Sequence, residues 1–411
     1  MTPRIAIVGA GIVGTALAWE LARGGATVTV LDSFRGESSG STAFAPGFIG
    51  VYNDAPALTA LAGTSVDRYR SFANAFSVRG GWELATSDAG AAHLEDRVAA
   101  AREAGLDARL HALPDDRALP SFVDPRGVIT GAHYAGDASA DPAILRREIQ
   151  RAATAQGAVF RHGQTAQRMT RESGLWRIQT ERADTTVDAD HLVLATGVWS
   201  PEANDRVGID LPIYPVAHPY VYAAPNAPRV EPGPFVRWPE HHVYARAHGD
   251  TLGIGTYDHP PVRVARGDLA AGAGLEWRAD FDSAVTRAQQ RLRPEARFVP
   301  SRRVNGVFAM TPDNLPFLGP HARQPRLWVA QAIWVTHAGG AAAELSAAIL
   351  RGGSLRSEFA ADRFEGRPER ELRDAALRLY RDIYANDASS TPVVGSATSS
   401  SEGEATAPDG S

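Results

Sequence analysis

The chain of 411 residues contains no cysteine, which excludes disulfides, thiolate nucleophiles, Cys-ligated zinc and iron–sulfur clusters. No apolar run reaches the ~18 residues that a membrane span needs. Basic residues number 42 against 47 acidic ones, a net charge of -5, so the basic footprint of a nucleic-acid-binding protein is missing. His241, His242 and His248 lack the helical spacing of a zinc protease and are interpreted as surface residues. Neither a metal, a membrane nor a nucleic-acid partner is therefore expected.

The first predicted strand begins four residues from Met1. That distance leaves no room for a signal peptide, and a cytoplasmic location is expected.

The stretch from Arg4 to Asp32, RIAIVGAGIVGTALAWELARGGATVTVLD, reads as strand, glycine turn, helix and second strand. Gly9 allows the tight turn, Gly11 lets the backbone approach a pyrophosphate, and Gly14 lets the helix pack close to the strand. The acid at position 32 can accept hydrogen bonds from a free ribose 2′-hydroxyl. The spacing therefore predicts an adenine dinucleotide, FAD or NAD rather than NADP.

The small-residue loop that follows the second strand contains Ser41 and Thr42. These hydroxyls could line a cofactor phosphate or ring, and a plain surface loop is the alternative. Asp141-Pro142 predicts the start of a helix that runs to about Gln156. Residues 165–190 alternate apolar and polar with a break near Gly174, as a small antiparallel meander would.

The predicted fold is α/β: a Rossmann-like, two-dinucleotide-binding domain with a second α+β substrate domain on an antiparallel sheet. The cofactor domain is expected from residues 1–78, 138–203 and 304–385, and the substrate domain from 79–137 and 204–303. Residues 339–350 predict a helix of small residues that packs closely against another element. Residues 386–411 are rich in Ser, Thr, Gly and Pro and predict a disordered tail. An NAD dehydrogenase is disfavoured because the last third returns to the cofactor domain.

Six stretches in order resemble the D-amino-acid-oxidase-like FAD-dependent oxidoreductases, most of all the flavin domain of dimethylglycine oxidase and sarcosine dehydrogenase. The stretches are IVGAGIVGTALAWEL, GSTAFAPGFIG, VAHPYVY, VYARAHGDTLGIGTYDH, NGVFAMTPDNLPFLGP and IWVTHAGG. Together they span about residues 4–365. The resemblance implies FAD as cofactor and oxidation of an amine by hydride transfer to the flavin.

The resemblance also implies two catalytic residues, His218 in VAHPYVY and Tyr244 in VYARAHGD. Hydride leaves a carbon next to nitrogen only when that nitrogen is neutral. A histidine near its unperturbed pKa can take the ammonium proton, and a tyrosine hydroxyl can orient it. A plain packed strand explains Trp334 almost as well as a flavin contact does. The full set expected to face the cofactor is Gly9, Gly11, Ile12, Val13, Gly14, Asp32, Ser41, Thr42, Phe44, Ala45, Gly197, Trp199, Pro312, Asp313, Trp334, Thr336 and His337.

Two departures from the family pattern are informative. Relatives with a flavin fixed to histidine carry that histidine where this chain has Phe44, and with no cysteine either, non-covalent FAD is predicted. The relatives continue into a folate-binding half that captures the released one-carbon unit, whereas this chain stops at the flavin half. We expect that formaldehyde simply leaves, or that the substrate is not an N-methyl amine.

The sequence thus predicts oxidation of a secondary or tertiary amine, such as dimethylglycine or sarcosine, with dioxygen or an electron carrier as acceptor. Arg246 and Arg302 are candidate carboxylate partners, with a solvated surface position as the alternative for each. Two rival functions stay open: a D-amino-acid or other primary-amine oxidase of the same fold, and a flavin-binding subunit of a hetero-oligomeric oxidase. The oligomeric state is left open.

Overall fold

A computed structural model describes residues 2–35, 40–112, 118–182, 185–269 and 274–383. The expected tail, 386–411, lies outside these residues. The strands are β1 (Arg4–Val8), β2 (Thr27–Asp32), β3 (Phe48–Ile49), β4 (Phe76–Val78), β5 (Gly81–Ala85), β6 (Ala108–Ala112), β7 (Thr130–Tyr134), β8 (Ala138–Ala140), β9 (Val159–His162), β10 (Ala166–Glu172), β11 (Leu175–Thr180), β12 (Thr186–Ala189), β13 (His191–Leu194), β14 (Tyr214–Tyr222), β15 (Phe235–Trp238), β16 (Val243–His248), β17 (Thr251–Thr256), β18 (Val262–Arg263), β19 (Arg302–Met310), β20 (Phe317–Pro320) and β21 (Leu327–Gln331).

The helices are α1 (Ile12–Arg23), α2 (Gly40–Phe44), α3 (Pro56–Tyr69), α4 (Asp88–Glu103), α5 (Pro142–Ala155), α6 (Ser200–Asp205), α7 (Phe281–Ala288), α8 (Val335–Arg351) and α9 (Glu369–Arg381). Helix α5 begins as predicted, with the Asp141 carboxylate accepting the N–H of Ile144 at 3.0 Å. Among the described residues, no helix combines the length and apolarity needed to cross a membrane.

A six-stranded sheet forms the centre of the predicted cofactor domain, with strands from both ends of the chain in the order β20-β21-β13-β1-β2-β9. Its strands pair in parallel except β20, which is antiparallel to β21. Successive side chains of β1 point to opposite faces. Ile5 and Ile7 pack with Leu17 of α1 and Leu345 of α8, while Ala6 packs with Trp176 of the meander. The sheet is therefore covered on both faces, and the predicted meander β10-β11-β12 is confirmed.

The second large sheet is nine-stranded and mainly antiparallel, in the order β18-β14-β17-β16-β15-β5-β7-β6, with β19 paired to β14. Strand β19 runs beside β14 over nine residue pairs, from Tyr214 opposite Met310 to Tyr222 opposite Arg302. It therefore crosses the boundary expected at residue 304, and residues 304–310 lie in this sheet. The mixed α/β class predicted from the sequence is confirmed.

The helix of small residues, α8, packs within the chain against α3. A Cβ atom at Gly340 would lie 2.2 Å from the backbone oxygen of Leu61. The N–H of Gly340 donates to Ser65 Oγ at 2.8 Å, and that of Gly339 to Tyr69 Oη at 3.0 Å. These glycines thus serve a close helix–helix contact inside the cofactor half.

Candidate active site

Close backbone contacts leave no space for a side chain at Gly9 and Gly14. Gly9 has φ +105°, and a Cβ there would lie 2.3 Å from the carbonyl oxygen of Ala195. A Cβ at Gly14 would lie 1.9 Å from the carbonyl oxygen of Gly9. Gly11 is the N-cap of α1, and a Cβ there would make an ordinary contact of 3.4 Å with Thr42 Oγ1. The turn therefore brings bare backbone to a helix N-terminus, which suits a phosphate group.

Asp32 at the end of β2 is held by backbone donors. The N–H of Ala10 donates to its Oδ2 at 2.6 Å and the N–H of Phe34 to its Oδ1 at 2.8 Å. An ionised carboxylate can accept about four hydrogen bonds. Each oxygen therefore keeps acceptor capacity for ribose hydroxyl groups.

One cavity is lined both by this turn and by His218 and Tyr220 of β14. Of the residues expected from the sequence, it is lined by Gly9, Gly11, Ile12, Val13, Asp32, Ser41, Thr42, Phe44, Ala45, Gly197, Trp199, His218 and Trp334. Thr42 Oγ1 accepts the N–H of Ile12 at 3.1 Å, and Ser41 donates to the Val307 carbonyl. The segment from Gly40 to Ala45 is therefore a wall of the cavity rather than an outer loop.

Other expected residues lie outside the lining: Gly14, Pro312, Asp313, Thr336, His337 and Tyr244. The Asp313 carboxylate forms a salt bridge with Arg363 at 2.8 Å. Thr336 donates to the Phe48 carbonyl at 3.0 Å. Burial lowers the pKa of His337 to about 4. The structure gives these three side chains roles in packing around the cavity.

The nucleotide end of the cavity includes residues that the sequence analysis did not single out. Arg146 on α5 is 3% exposed and donates to Gln150 Oε1 at 2.7 Å. Its guanidinium lies near Asp32, and burial lowers its pKa from the usual value. His162, the last residue of β9, and Gln164, two residues further on, line the same cavity. Ligands of parallel sheets bind at the carboxyl ends of the strands. Because β9 is parallel to β2, the polar residues at its carboxyl end could have been predicted from the sequence as cofactor contacts.

These residues fit an adenine dinucleotide. The bare backbone at Gly9 and Gly11 leaves room for a pyrophosphate, the buried Arg146 adds positive charge, and Asp32 offers acceptors for a ribose. Attraction between the helix N-terminus and an anion adds to this effect.

At the far end, His218 and Tyr244 form a buried pair, 3% and 2% exposed. His218 Nε2 lies 2.5 Å from Tyr244 Oη, and its Nδ1 lies 2.8 Å from Tyr380 Oη. The Phe308 ring, which also lines the cavity, stands edge-on to the histidine at 5.0 Å. The two residues expected to act together are thus brought together by β14 and β16, the strands on either side of β17 in one sheet.

Burial holds the pKa of His218 well below its usual value, and the nearby His259 lowers it further. The expectation that this histidine titrates near its unperturbed pKa is therefore wrong. In a buried site a charged imidazolium loses its hydration, and none of the carboxylates in the part of the chain that the structure describes contributes to the pKa of His218. His218 is a neutral side chain at neutral pH.

Arg246 and His248 also differ from the expectation of solvated side chains. Arg246 is 6% exposed, and its Nη1 donates to the Gly47 carbonyl at 3.0 Å. His248 lies partly buried, and Tyr220 Oη lies 2.8 Å from its Nε2. Burial and the positive charges of Arg246 and Arg302 hold the pKa of His248 well below its usual value. A buried cation therefore lies two residues along β16 from Tyr244, on the same face of the strand.

Comparison with known proteins gives matches over most of the chain. A family model described as "DAO: FAD dependent oxidoreductase" matches residues 4–348. Mitochondrial dimethylglycine dehydrogenase of Mus musculus is 26% identical over 371 residues, which cover 84% of this chain and 42% of that protein. The chain thus spans less than half the length of that relative.

Two further matches extend over nearly the whole of the other protein. Glycine oxidase of Pseudomonas aeruginosa is 27% identical over 351 residues, covering 80% of this chain and 89% of that protein. The crystal structure of L-proline dehydrogenase from P. horikoshii superposes with a TM-score of 0.79 at 20% identity, over 89% of this chain and 98% of that one. The structural match shows a shared fold.

Proposed function

The chain belongs to the family of FAD-dependent oxidoreductases, and from that premise we propose that it oxidises a small secondary or tertiary amine, such as an N-methylated amino acid. The cofactor is FAD, which supplies a ring that accepts a hydride and so takes two electrons from the substrate. The turn at Gly9 and Gly11, Asp32 and Arg146 would hold its nucleotide portion. The single observation that carries the proposal is the buried His218–Tyr244 pair, of which His218 lines the same cavity.

The pair favours an amine because the reaction needs an uncharged nitrogen. A carbon next to nitrogen releases hydride only when the nitrogen lone pair is available. Neutral His218 and the Tyr244 hydroxyl offer hydrogen-bonding groups without a fixed charge. Phe308 and Trp334, whose ring centroids lie 5.4 Å apart, give this part of the cavity an aromatic lining. An apolar lining disfavours the ammonium form of a bound amine.

Arg246 supports an amino-acid-like substrate. Its guanidinium is buried beside Tyr220 and Tyr222 and lies over the face of Phe48 at 5.9 Å. Phe48 in turn packs edge-on against Tyr244 at 4.8 Å. A planar guanidinium presents paired donors to a carboxylate. We infer that this cation receives the carboxylate of the substrate while Tyr244 faces its nitrogen.

A primary amino acid is the second candidate substrate. The match to glycine oxidase covers 89% of that protein, whereas the match to dimethylglycine dehydrogenase covers 42%. In this alternative the same pair and the same arginine would receive an amino acid without an N-methyl group.

An anaerobic panel tests the proposal. Purified protein saturated with FAD is mixed with dimethylglycine, sarcosine, L-proline, glycine and D-alanine, and the loss of flavin absorbance is followed. We expect the N-alkylated amines to bleach the flavin at least about tenfold faster than glycine or D-alanine, because one tenfold step corresponds to about 1.4 kcal/mol of pocket discrimination. Faster bleaching by glycine would select the second candidate, and no bleaching by any amine would support a flavin-binding subunit instead. Admitting air then shows whether dioxygen or a carrier reoxidises the flavin.

A further inference from the structure

A continuous line of hydrogen-bonding groups leads from the His218–Tyr244 pair to helix α9 and the segment after β17. Tyr244 Oη lies 2.5 Å from His218 Nε2, and His218 Nδ1 lies 2.8 Å from Tyr380 Oη. Tyr380 Oη lies 3.0 Å from His259 Nε2, and His259 Nδ1 lies 2.9 Å from the carbonyl oxygen of Pro260. We call these four side chains, from Tyr244 to His259, the relay.

The outer end of the relay fixes the tautomer of His259. A carbonyl oxygen only accepts hydrogen bonds, so the contact to Pro260 places a hydrogen on Nδ1. In the neutral imidazole, Nε2 then carries a lone pair and accepts from Tyr380. The imidazole orientation at the outer end therefore follows from one backbone contact.

The same reasoning fixes the tautomer of His218. The single hydroxyl hydrogen of Tyr380 has two acceptors on its outer side, His259 Nε2 at 3.0 Å and the Ala217 carbonyl at 2.9 Å. If this hydrogen pointed at His218 instead, neither His259 Nε2 nor the Ala217 carbonyl would have a donor in Tyr380. The Tyr380 oxygen therefore accepts from His218 Nδ1–H. In neutral His218 this leaves the lone pair on Nε2, where it accepts from the Tyr244 hydroxyl.

The two histidines of the relay have different surroundings. His218 is buried among the rings of Tyr244, Tyr257, Tyr380 and Phe308, and burial holds its pKa well below the usual value. Burial lowers the pKa of His259 as well, but here the Pro260 carbonyl and the carboxylates of Asp280 and Asp258 oppose that effect, against a smaller contribution from Arg278. Asp258 is paired with Arg287 and Asp280 with Arg278, and all four side chains are at least 43% exposed. Opposite charge and nearby solvent stabilise an imidazolium.

We propose that Tyr380 and His259 carry the proton that the substrate amine must lose away from the Tyr244–His218 pair. This inference rests on the proposed function, since it requires an amine bound as its ammonium form. The Tyr244 oxygen accepts the ammonium proton as its own hydrogen passes to His218 Nε2. The Nδ1 hydrogen of His218 passes to the Tyr380 oxygen, and the Tyr380 hydrogen passes to His259 Nε2.

At the end of these steps the substrate nitrogen is neutral and His259 is an imidazolium. Tyr244, His218 and Tyr380 each carry as many hydrogens as before, and in each hydrogen bond of the relay the donor and the acceptor have exchanged roles. No electrons are transferred. Tyr380 and His259 thus act through other residues and are positioning residues for the amine oxidation, whereas His218 need never hold a lasting charge.

Two variants and a control test the relay by the pH dependence of flavin reduction. Tyr380→Phe removes the hydroxyl and keeps the ring, and His259→Asn removes the outer imidazole. Tyr214→Phe is the control, because Tyr214 is a buried tyrosine of the same strand as His218 whose hydroxyl donates to the Glu369 carbonyl outside the relay. The measurement is stopped-flow anaerobic reduction from pH 6 to 10 with the best amine of the panel.

We expect both relay variants to keep the wild-type rate at high pH within about threefold, because a free amine needs no deprotonation. Near pH 7 their rates should fall about tenfold, as the apparent pKa of the profile moves up toward that of the amine in water. Tyr214→Phe should follow the wild type. An equal loss at every pH, or an unchanged profile, overturns the relay while the amine oxidation stands. If no amine reduces the wild-type flavin at any pH, the proposed function fails and the proton-carrying role fails with it.

A second measurement needs no substrate. Long-range ¹H–¹⁵N spectra of histidine-labelled protein report the tautomer of each ring, and the His218 signals are identified by their loss in His218→Asn. We expect the Nδ1–H tautomer for His218 in the wild type and a shift toward Nε2–H in Tyr380→Phe. An Nε2–H tautomer in the wild type, or no change in the variant, contradicts the direction of the relay whatever the substrate is.

Discussion

The guanidinium of Arg246 lies 3.1 Å from Nδ1 of His248. Arginine only donates, so this nitrogen accepts and the hydrogen of the neutral imidazole lies on Nε2, facing Tyr220. Within residues 2–35, 40–112, 118–182, 185–269 and 274–383, no salt bridge to Arg246 is found. The guanidinium of Arg246 is thus buried and held by a neutral histidine and a backbone carbonyl.

We expect Arg246→Met to raise the KM for dimethylglycine by about 10- to 100-fold, the range for a lost hydrogen bond to a charged group of about 1.5–3 kcal/mol. Steady-state kinetics measure this change, and an N-methyl amine without a carboxylate should show little of it. Arg302→Met is the comparison, because Arg302 is exposed and stacks over Tyr222 at 3.8 Å. If Arg302→Met has the larger effect, the carboxylate site has been assigned to the wrong arginine.

Asp32 should control cofactor affinity. We expect Asp32→Ala to raise the Kd for FAD by about 10- to 100-fold, because it removes acceptors for ribose hydroxyls and leaves the N–H groups of Ala10 and Phe34 without their partner. Fluorescence titration of apoprotein measures the Kd. Asp188→Ala serves as the control, since that carboxylate pairs with Arg177 at the surface of the meander. Equal affinity of Asp32→Ala and wild type would exclude the ribose contact.

The flavin should be held without a covalent bond. The cavity wall carries Phe44 where histidine-linked relatives have their attachment residue, and both ring nitrogens of His218 are occupied by hydrogen bonds. We expect intact FAD in the supernatant after acid precipitation, identified by its mass. A pellet that stays yellow after washing would refute this.

The buried carboxyl of Asp137 should make stability depend on pH. It is 3% exposed and accepts the N–H of Val51 at 2.8 Å, and burial raises its pKa from 3.8 to about 7 despite the nearby Arg237. A folded-state pKa above the unfolded value means that this contribution is full below about pH 4 and is lost as pH rises through 7.

Urea unfolding of the FAD-saturated protein at pH 5 and pH 8 measures this effect. In the wild type we expect the free energy of unfolding to fall between pH 5 and pH 8 by up to a few kcal/mol because of Asp137, roughly 1.4 kcal/mol for each unit of pKa shift. In Asp137→Asn this part of the fall should be absent. Asp188→Asn is the matched control, because the Arg177 hydrogen bond holds the pKa of that exposed carboxyl below its usual value and its titration ends below pH 5. An equal pH slope in Asp137→Asn and wild type would show that the group is ionised in the folded protein.

Local spacing explains what could be predicted from the sequence. The turn at Gly9 and the acid at Asp32 lie within one strand–helix–strand unit, and their roles depend on neighbours along the chain. The pairing of His218 with Tyr244 followed from family resemblance, since the two lie 26 residues apart on strands separated by β17.

Long-range contacts explain what could not be predicted. Tyr380 is 162 residues from His218 in the sequence, on α9, and no motif in the sequence connects the two. Arg246 was open to a solvated interpretation because its burial depends on Gly47, 199 residues away. No periodicity within one segment indicates which distant loop will cover a charged side chain.

The position of α9 has a consequence for biosynthesis. A ribosome releases the chain from its amino end and domains fold as they emerge, so residues 2–35 and the strands around them are free long before residues 369–381. The contact between His218 Nδ1 and Tyr380 can therefore form only after residues 369–381 have been synthesised and α9 has packed against β14. Because residues as late as Val335 line the cavity, a nascent chain completes its cofactor cavity before it completes the hydrogen bonds of its catalytic histidine.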